Sequence, residues 1–238
     1  MSILLALGLL AAFPGQQDAL PVAADAAAIR GVVIDTRNGE VAFGATVQHP
    51  TGKPCIDAWG QRPQAFVGTT KSGGKASQYA DHFVFLTDAD AEDVYRGLAE
   101  VGLQIDKHVS REEGRKVAGR AFLKGDPVSI VVTWKEGDTW VEKPYESFVK
   151  EKAIVDGKEV VRPWTPKWAF HGSGVIHQEA TGCIACPADC PGGLIADVRN
   201  PIFDPMPTVF FDLESAPPKG TKVIVKFLTV MLKHGTSS

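Results

Sequence analysis

Three of the four cysteines in this 238-residue chain fall within eight residues, in the run Cys183-Ile-Ala-Cys186-Pro-Ala-Asp-Cys190-Pro191. Thiolates are soft donors for iron and zinc, and they are also the sulfur nucleophiles of disulfide chemistry. A C-x2-C step lets two of them converge on one metal while turn amides face the sulfurs. Pro187 and Pro191 stiffen the run and remove backbone donors that would otherwise need partners. Gly182, Gly192 and Gly193 let the chain turn tightly around a bulky inorganic group. The fourth cysteine, Cys55, stands far off in sequence, in a stretch holding Pro50, Gly52, Pro54 and Gly60.

The spacing C-x2-C-x3-C-P is that of the last three cysteines in the bacterial ferredoxin run. It reverses the C-x3-C-x2-C order of radical enzymes that use S-adenosylmethionine. The leading expectation is a [4Fe–4S] cluster ligated by Cys183, Cys186 and Cys190, with Cys55 as fourth ligand by count. His171 or His177 could replace Cys55 in that role. Two other readings stay open. An even number of cysteines in an exported chain also suits two disulfides, Cys55 pairing with one of the three. Four cysteines, or three and a histidine, also make a zinc site.

Other residues carry weaker signals. His171 and Ser173 share the segment Phe170-His-Gly-Ser-Gly174, and a hydroxyl beside an imidazole suggests a hydrolase, but the G-x-S-x-G elbow is absent. A structural turn is the plainer reading. His49, His82 and His108 are dispersed, and Asp197, Asp204 and Asp212 read as solvated carboxylates near strand ends. Trp134, Trp140, Trp164 and Trp168 read as core. No phosphate-binding loop or dinucleotide fingerprint is present. The chain therefore reads as a metal-binding protein more than as an enzyme.

The elements that must position the cysteine run are mostly strands. Ile29 to Asp35 and Val41 to Gln48 flank Arg37-Asn38-Gly39, a strong hairpin signal because Asn and Gly tolerate positive φ. Gln64 to Thr70, His82 to Leu86, Val128 to Trp134, Leu194 to Val198 and Val223 to Leu232 also read as strands. Glu136-Gly137-Asp138 and Asp156-Gly157 read as hairpin turns. One helix is expected over about 88–102, since Ala91, Val94, Tyr95, Leu98 and Val101 recur at three- and four-residue spacing. Thr87 or Asp88 would cap it and Gly102 would end it. The expected class is α+β, a mostly antiparallel sheet covered by that helix.

The ends and the overall charge bear on location and partners. Ile3 to Phe13 is an uncharged apolar run, too short to span a bilayer, which takes about 20 residues as a helix, but suited to a secretory signal. Residues 1–24 are expected to be that signal and 25–238 a single domain with a cysteine-rich loop at 182–193. The mature protein would be periplasmic or extracellular, with no stable membrane span. Export sits uneasily with a cluster, because clusters are usually inserted in the cytoplasm. A net charge of −3 says little by itself, but without any basic stripe no nucleic-acid partner is expected.

Several segments taken together resemble a known family. These are the strand His82 to Leu86 with the helix ending Leu98-Ala-Glu-Val-Gly102-Leu103, the strand Val128 to Trp134, and Trp168-Ala-Phe170-His-Gly172-Ser173. Gly193-Leu-Ile-Ala-Asp197 and Asn200-Pro201 follow. Their order resembles the YdjY-like domain family of often exported bacterial proteins, over roughly residues 28–214. Cysteine-bearing members are regarded as ferredoxin-like, which implies that Cys183, Cys186 and Cys190 are cluster ligands. The assignment of Cys55 comes from counting, not from the resemblance. The expected function is extracytoplasmic electron transfer with a redox partner protein, and the alternative is a cofactor-free, disulfide-stabilised binding module.

Overall fold

The computed structural model describes residues 31–48, 67–105, 124–200 and 208–229, together with Glu112. The expected signal segment 1–24, Cys55, His49, His108 and Asp204 lie outside the described residues.

The chain opens with the hairpin β1 (Val32–Asp35) and β2 (Glu40–Val47), paired from Val32 opposite Phe43 to Asp35 opposite Glu40. The Asp35 carboxylate stiffens the turn by accepting from the Arg37 and Asn38 amides, and Gly39 takes the positive φ that the Asn-Gly pair predicts. Next come β3 (Val67–Ser72), β4 (Lys75–Ala76), β5 (Phe85–Asp90) and the helix α1 (Ala91–Glu100). The long hairpin β6 (Asp126–Glu136) and β7 (Thr139–Pro144) precedes the hairpin β8 (Val149–Val155) and β9 (Lys158–Pro163). Then follow β10 (Trp168–Phe170), the short helix α2 (Val175–Glu179), β11 (Cys183–Cys186) and β12 (Ile195–Asp197). The last described strands are β13 (Thr208–Phe211) and β14 (Lys222–Thr229).

Eight of these strands close on themselves. The pairing runs β2, β14, β6, β10, β12, β11, β3, β5 and back to β2. The strands β1, β4 and β7 extend the barrel wall, and β13, β8 and β9 form a separate three-stranded sheet. The expected helix-covered α+β sheet is thus corrected to a mostly β fold built on a closed barrel, with two helices among the described residues. The physical reason lies in two parallel pairings, β3 with β5 and β11 with β12, which join edges that an open antiparallel sheet would leave free. A closed barrel buries its inner face against itself and has no need of a covering helix.

The helix itself forms, but not where a cover would lie. Strand β5 continues through Asp88 and Ala89, so Asp90, rather than Thr87 or Asp88, caps α1 by accepting from the Glu92 amide at 2.9 Å. Val94, Tyr95 and Leu98 join the same hydrophobic core as the inward residues of the barrel. Gly97 brings α1 against β1 and β2, since a Cβ there would stand 3.2 Å from Ile34 and 3.3 Å from Val41.

Alternation along the long strands fills the interior. Val41, Phe43 and Ala45 of β2, Val223, Val225 and Phe227 of β14, and Ile130, Val132 and Trp134 of β6 are all buried in one core. Each fully buried large side chain stabilises by roughly 1.5–3 kcal/mol. Trp164 and Trp168 belong to that core, whereas Trp140 is half-buried on β7 beneath the Lys135 ammonium. No helix among the described residues is long and apolar enough to cross a membrane.

Candidate metal centre

The first half of the cysteine run is a strand rather than part of the loop that its sequence suggests. Cys183 to Cys186 form strand β11, wedged between β3 and β12. On a regular strand, residues three apart point to opposite faces. Here the register against β3 shifts, with Cys183 opposite Gly68 but Ala185 opposite Val67. That irregularity places one extra residue in β11, as a β-bulge does. Ile184 and Ala185 consequently both enter the main core, while Cys183 and Cys186 share a second, small cluster with Phe83 and Ala188. The bulge lets a C-x2-C step present both thiols on one side of a strand.

The neighbours on that outer face are set by register. Cys183 lies beside Gly68, and Gly68 beside Leu86. Phe83 occupies the room that a side chain at Gly68 would take, since a Cβ there would stand 2.1 Å from its ring. Tyr79, Leu86 and Cys190 pack against the cluster from its rim. The surroundings of the sulfurs are therefore apolar and largely dry: Cys183 is 6% and Cys186 2% exposed, and Cys190 is half-buried.

The segment from Pro187 to Gly193 folds back over this face and is pinned from several sides. The Asp189 amide donates to the Asn200 carbonyl at 2.8 Å, and the Asn200 side-chain amide donates to the Pro187 carbonyl. The Asp189 carboxylate meets His171 Nε2 at 2.9 Å, with both side chains wholly buried. His171 is itself fixed to β12's approach, its amide donating to the Leu194 carbonyl at 3.2 Å. The Leu194 amide in turn donates to the Cys183 carbonyl at 3.2 Å. Ser173 Oγ donates to the Pro191 carbonyl at 3.2 Å, and Thr181 Oγ1 donates to Gly192 at 2.7 Å.

The Cys186 thiol donates to the Cys190 sulfur and holds the Cys190 thiol below its usual range, against the upward push of burial. The Gly192 amide donates to the same sulfur and adds to the lowering. Among the described residues no group of three or more His, Cys, Asp or Glu side chains is placed to hold a metal ion. No disulfide links Cys183, Cys186 and Cys190 to one another. On the barrel side, burial pushes the Tyr145 phenol well above its ordinary range, and charge at Cys186 adds to that push. Tyr145 sits edge-on to Trp168 and Phe85 within an aromatic cluster.

The remaining candidates resolve differently. His171 reaches the cysteine segment, though through Asp189 rather than as a companion of Ser173, whose hydroxyl is directed to Pro191. His177 packs edge-on against Tyr95 of α1 at 4.9 Å and is felt at Asp90. His82 faces Asp81 at 3.2 Å. Asp197, read as a solvated carboxylate, is fully buried: it accepts from Trp164 Nε1 at 2.6 Å and from the Lys167 and Arg199 amides at 2.8 and 3.0 Å. Burial nevertheless leaves its carboxyl above the ordinary range. Asp212 pairs with Lys150 at 2.5 Å, which lowers its carboxyl.

Asp189, Phe83 and Gly68 complete the site without having stood out in the sequence, and Asn200 had stood out only in the order of segments that carries the family resemblance. Asp189 had one available signal, a carboxylate enclosed between two cysteines in a proline-stiffened run. Gly68 depends on register, which short strands do not announce, and Phe83 and Asn200 lie outside the strands. Compared with known proteins, residues 32–228 match the family model of the YdjY domain. No curated protein and no solved structure matches the chain.

Proposed function

The chain belongs to the YdjY domain family, and from that premise we propose that it is a redox-associated protein carrying a [4Fe–4S] cluster on its barrel wall. Cys183, Cys186 and Cys190 would be ligands, with Cys55 as the fourth. The observation that carries this reading is the irregularity in β11, which turns Cys183 and Cys186 onto one face where Cys190 packs beside them. A strand would otherwise separate a C-x2-C pair, so the break in register favours a purpose that needs both thiols together.

The donor set fits the group in its chemistry. It supplies soft thiol ligands, an apolar shell from Phe83, Tyr79 and Leu86, and an amide from Gly192 already directed at a sulfur. The thiols are not closed around a common point, and Cys186 and Cys190 meet each other, so taking up a metal has to part that contact. A bound cluster would supply a one-electron couple, and this chain's residues would tune it by burial and by hydrogen bonds to sulfur. Location outside the cytoplasm and a protein redox partner belong to the same proposal.

The test is metal analysis with a visible absorption spectrum on full chain expressed and purified without oxygen. A brown protein with about four irons per chain, colourless as Cys186→Ser, supports the reading. Zinc in place of iron would replace the cluster with a zinc site. A colourless protein free of both metals, before and after reconstitution with iron and sulfide, would overturn it.

A further inference from the structure

Most of the contacts that pin the segment 187–193 reach its backbone. Asn200 donates to the Pro187 carbonyl and accepts, through its own carbonyl, from the Asp189 amide at 2.8 Å. The Ser173 and Thr181 hydroxyls donate to the Pro191 and Gly192 carbonyls at 3.2 and 2.7 Å. One contact is of another kind: His171 Nε2 stands 2.9 Å from Asp189 Oδ1, side chain to side chain, with both wholly buried. A carboxylate that close requires a proton on Nε2, since two lone pairs would repel. His171 is the fixed half of this contact. It directly follows β10, its amide donates to the Leu194 carbonyl at 3.2 Å, and the next carbonyl, that of Gly172, accepts from the Tyr95 hydroxyl of α1 at 3.1 Å. Burying a carboxylate beside an imidazole adds little net stability, because desolvation offsets the attraction. What such a pair does supply is placement, since Asp189 meets this partner at one position on the barrel wall.

We propose that His171 is a positioning residue of the metal centre, which fixes through Asp189 the place of Cys190 against β11. The purpose of that placement rests on the cluster reading, but the placement itself is a property of the metal-free chain. Asp189 and Cys190 are neighbours in sequence, so pairing the carboxylate fixes the backbone one residue from the thiol. The backbone contacts accept any side chains in the segment, whereas the His171–Asp189 pair depends on which two residues stand there. With either removed, the other loses a partner in a place that water does not reach, and the segment has to lift to rehydrate it. Cys190 moves with the segment. Cys183 stays in the β11 ladder opposite Gly68, its carbonyl accepting from the Leu194 amide at 3.2 Å. His171 thus acts on the site from behind its ligands, as outer residues do in metal centres.

The experiment follows native-state alkylation of each cysteine by iodoacetamide, mapped by peptide mass. It uses full chain freed of metal by a chelator under reducing conditions, with fold checked by circular dichroism. Asp189→Ala and His171→Ala should each quicken Cys190 about tenfold and leave Cys183 at its wild-type rate. Asp189→Asn, which still accepts from His171, should stay near wild type. The double variant His171→Leu with Asp189→Leu leaves neither group buried alone, so it should keep the wild-type urea midpoint and still show the fast Cys190. That variant decides the matter where a single one does not fold. An unchanged Cys190 rate, Cys183 and Cys190 quickening together, or no recovery in Asp189→Asn would overturn the inference. In chain reconstituted with iron and sulfide, Asp189→Ala should release iron to a chelator faster than wild type, and equal rates would cut the link to the metal centre. A wild-type chain that takes up no iron sinks the cluster reading, whereas the alkylation rates decide the role of His171 either way.

Discussion

The wall of the barrel made by β2, β14 and β6 and the wall made by β5, β3, β11 and β12 share one core but are built differently. In the first, β14 pairs in unbroken antiparallel register with β2 from Lys222 to Leu228 and with β6 from Val223 to Thr229. In the second, strands are short, two of the pairings are parallel, and register shifts in both β3 and β11. The regular wall gives every residue a fixed side and leaves nothing over for chemistry. The irregular wall gives up that regularity and gains a face on which thiols gather. Stability and site chemistry should therefore respond separately to substitutions in the two walls.

The largest effect should come from the regular wall. Phe227→Ala removes a wholly buried ring packed edge-on against Phe43 and should cost about 3–5 kcal/mol in urea unfolding. The folded fraction should keep wild-type cysteine alkylation rates. Gly68→Ala should invert that pattern. The added Cβ displaces the Phe83 ring at about 1–3 kcal/mol, and alkylation of Cys183 in the native state should quicken several-fold. Unchanged alkylation in Gly68→Ala would dissolve the distinction between the walls.

Two smaller effects sharpen it. Asp197→Asn presents an amide where the carboxylate accepts from Trp164 Nε1 and should cost about 1–3 kcal/mol by the same unfolding measurement. Asp90→Ala removes the α1 cap and the acceptor for Gly73 and Gly74, about 1 kcal/mol. Burial pushes the Asp90 carboxyl up, but the Glu92, Gly74 and Gly73 amides together bring it below 3.8. Its stabilising contribution is therefore full above pH 3.8 and is lost as pH falls through the lowered value. The gap between wild type and Asp90→Ala should close over that acidic window.

The same division explains what could be read from the sequence. The hairpins at Asn38-Gly39, Gly137-Asp138 and Asp156-Gly157 were legible because each is local, and their turns need only the φ that these residues supply. The family was legible from segments in order, and α1 from its spacing. The barrel was not, because closure depends on β3 lying parallel to β5 and β11 parallel to β12, pairings for which short strands carry no local code. The cysteine run read as a loop because prolines and glycines dominate its flanks. Only its partners β3 and β12 hold Cys183 to Cys186 extended. Asp197 misled for a related reason, since a carboxylate at a strand end looks solvated until Trp164 covers it.

Strand β14, the last that the structure describes, is inserted between β2 and β6, both made much earlier. A chain emerging from its N-terminus has no closed barrel until Lys222–Thr229 arrives, and before then two long apolar strands stand with a gap between them. Folding is consequently a late, long-range event, slow by the measure of how far apart in sequence its partners lie. The unfilled gap is also a template for another chain's strand. A ribosome that stalls before Lys222 would leave a sticky half-barrel.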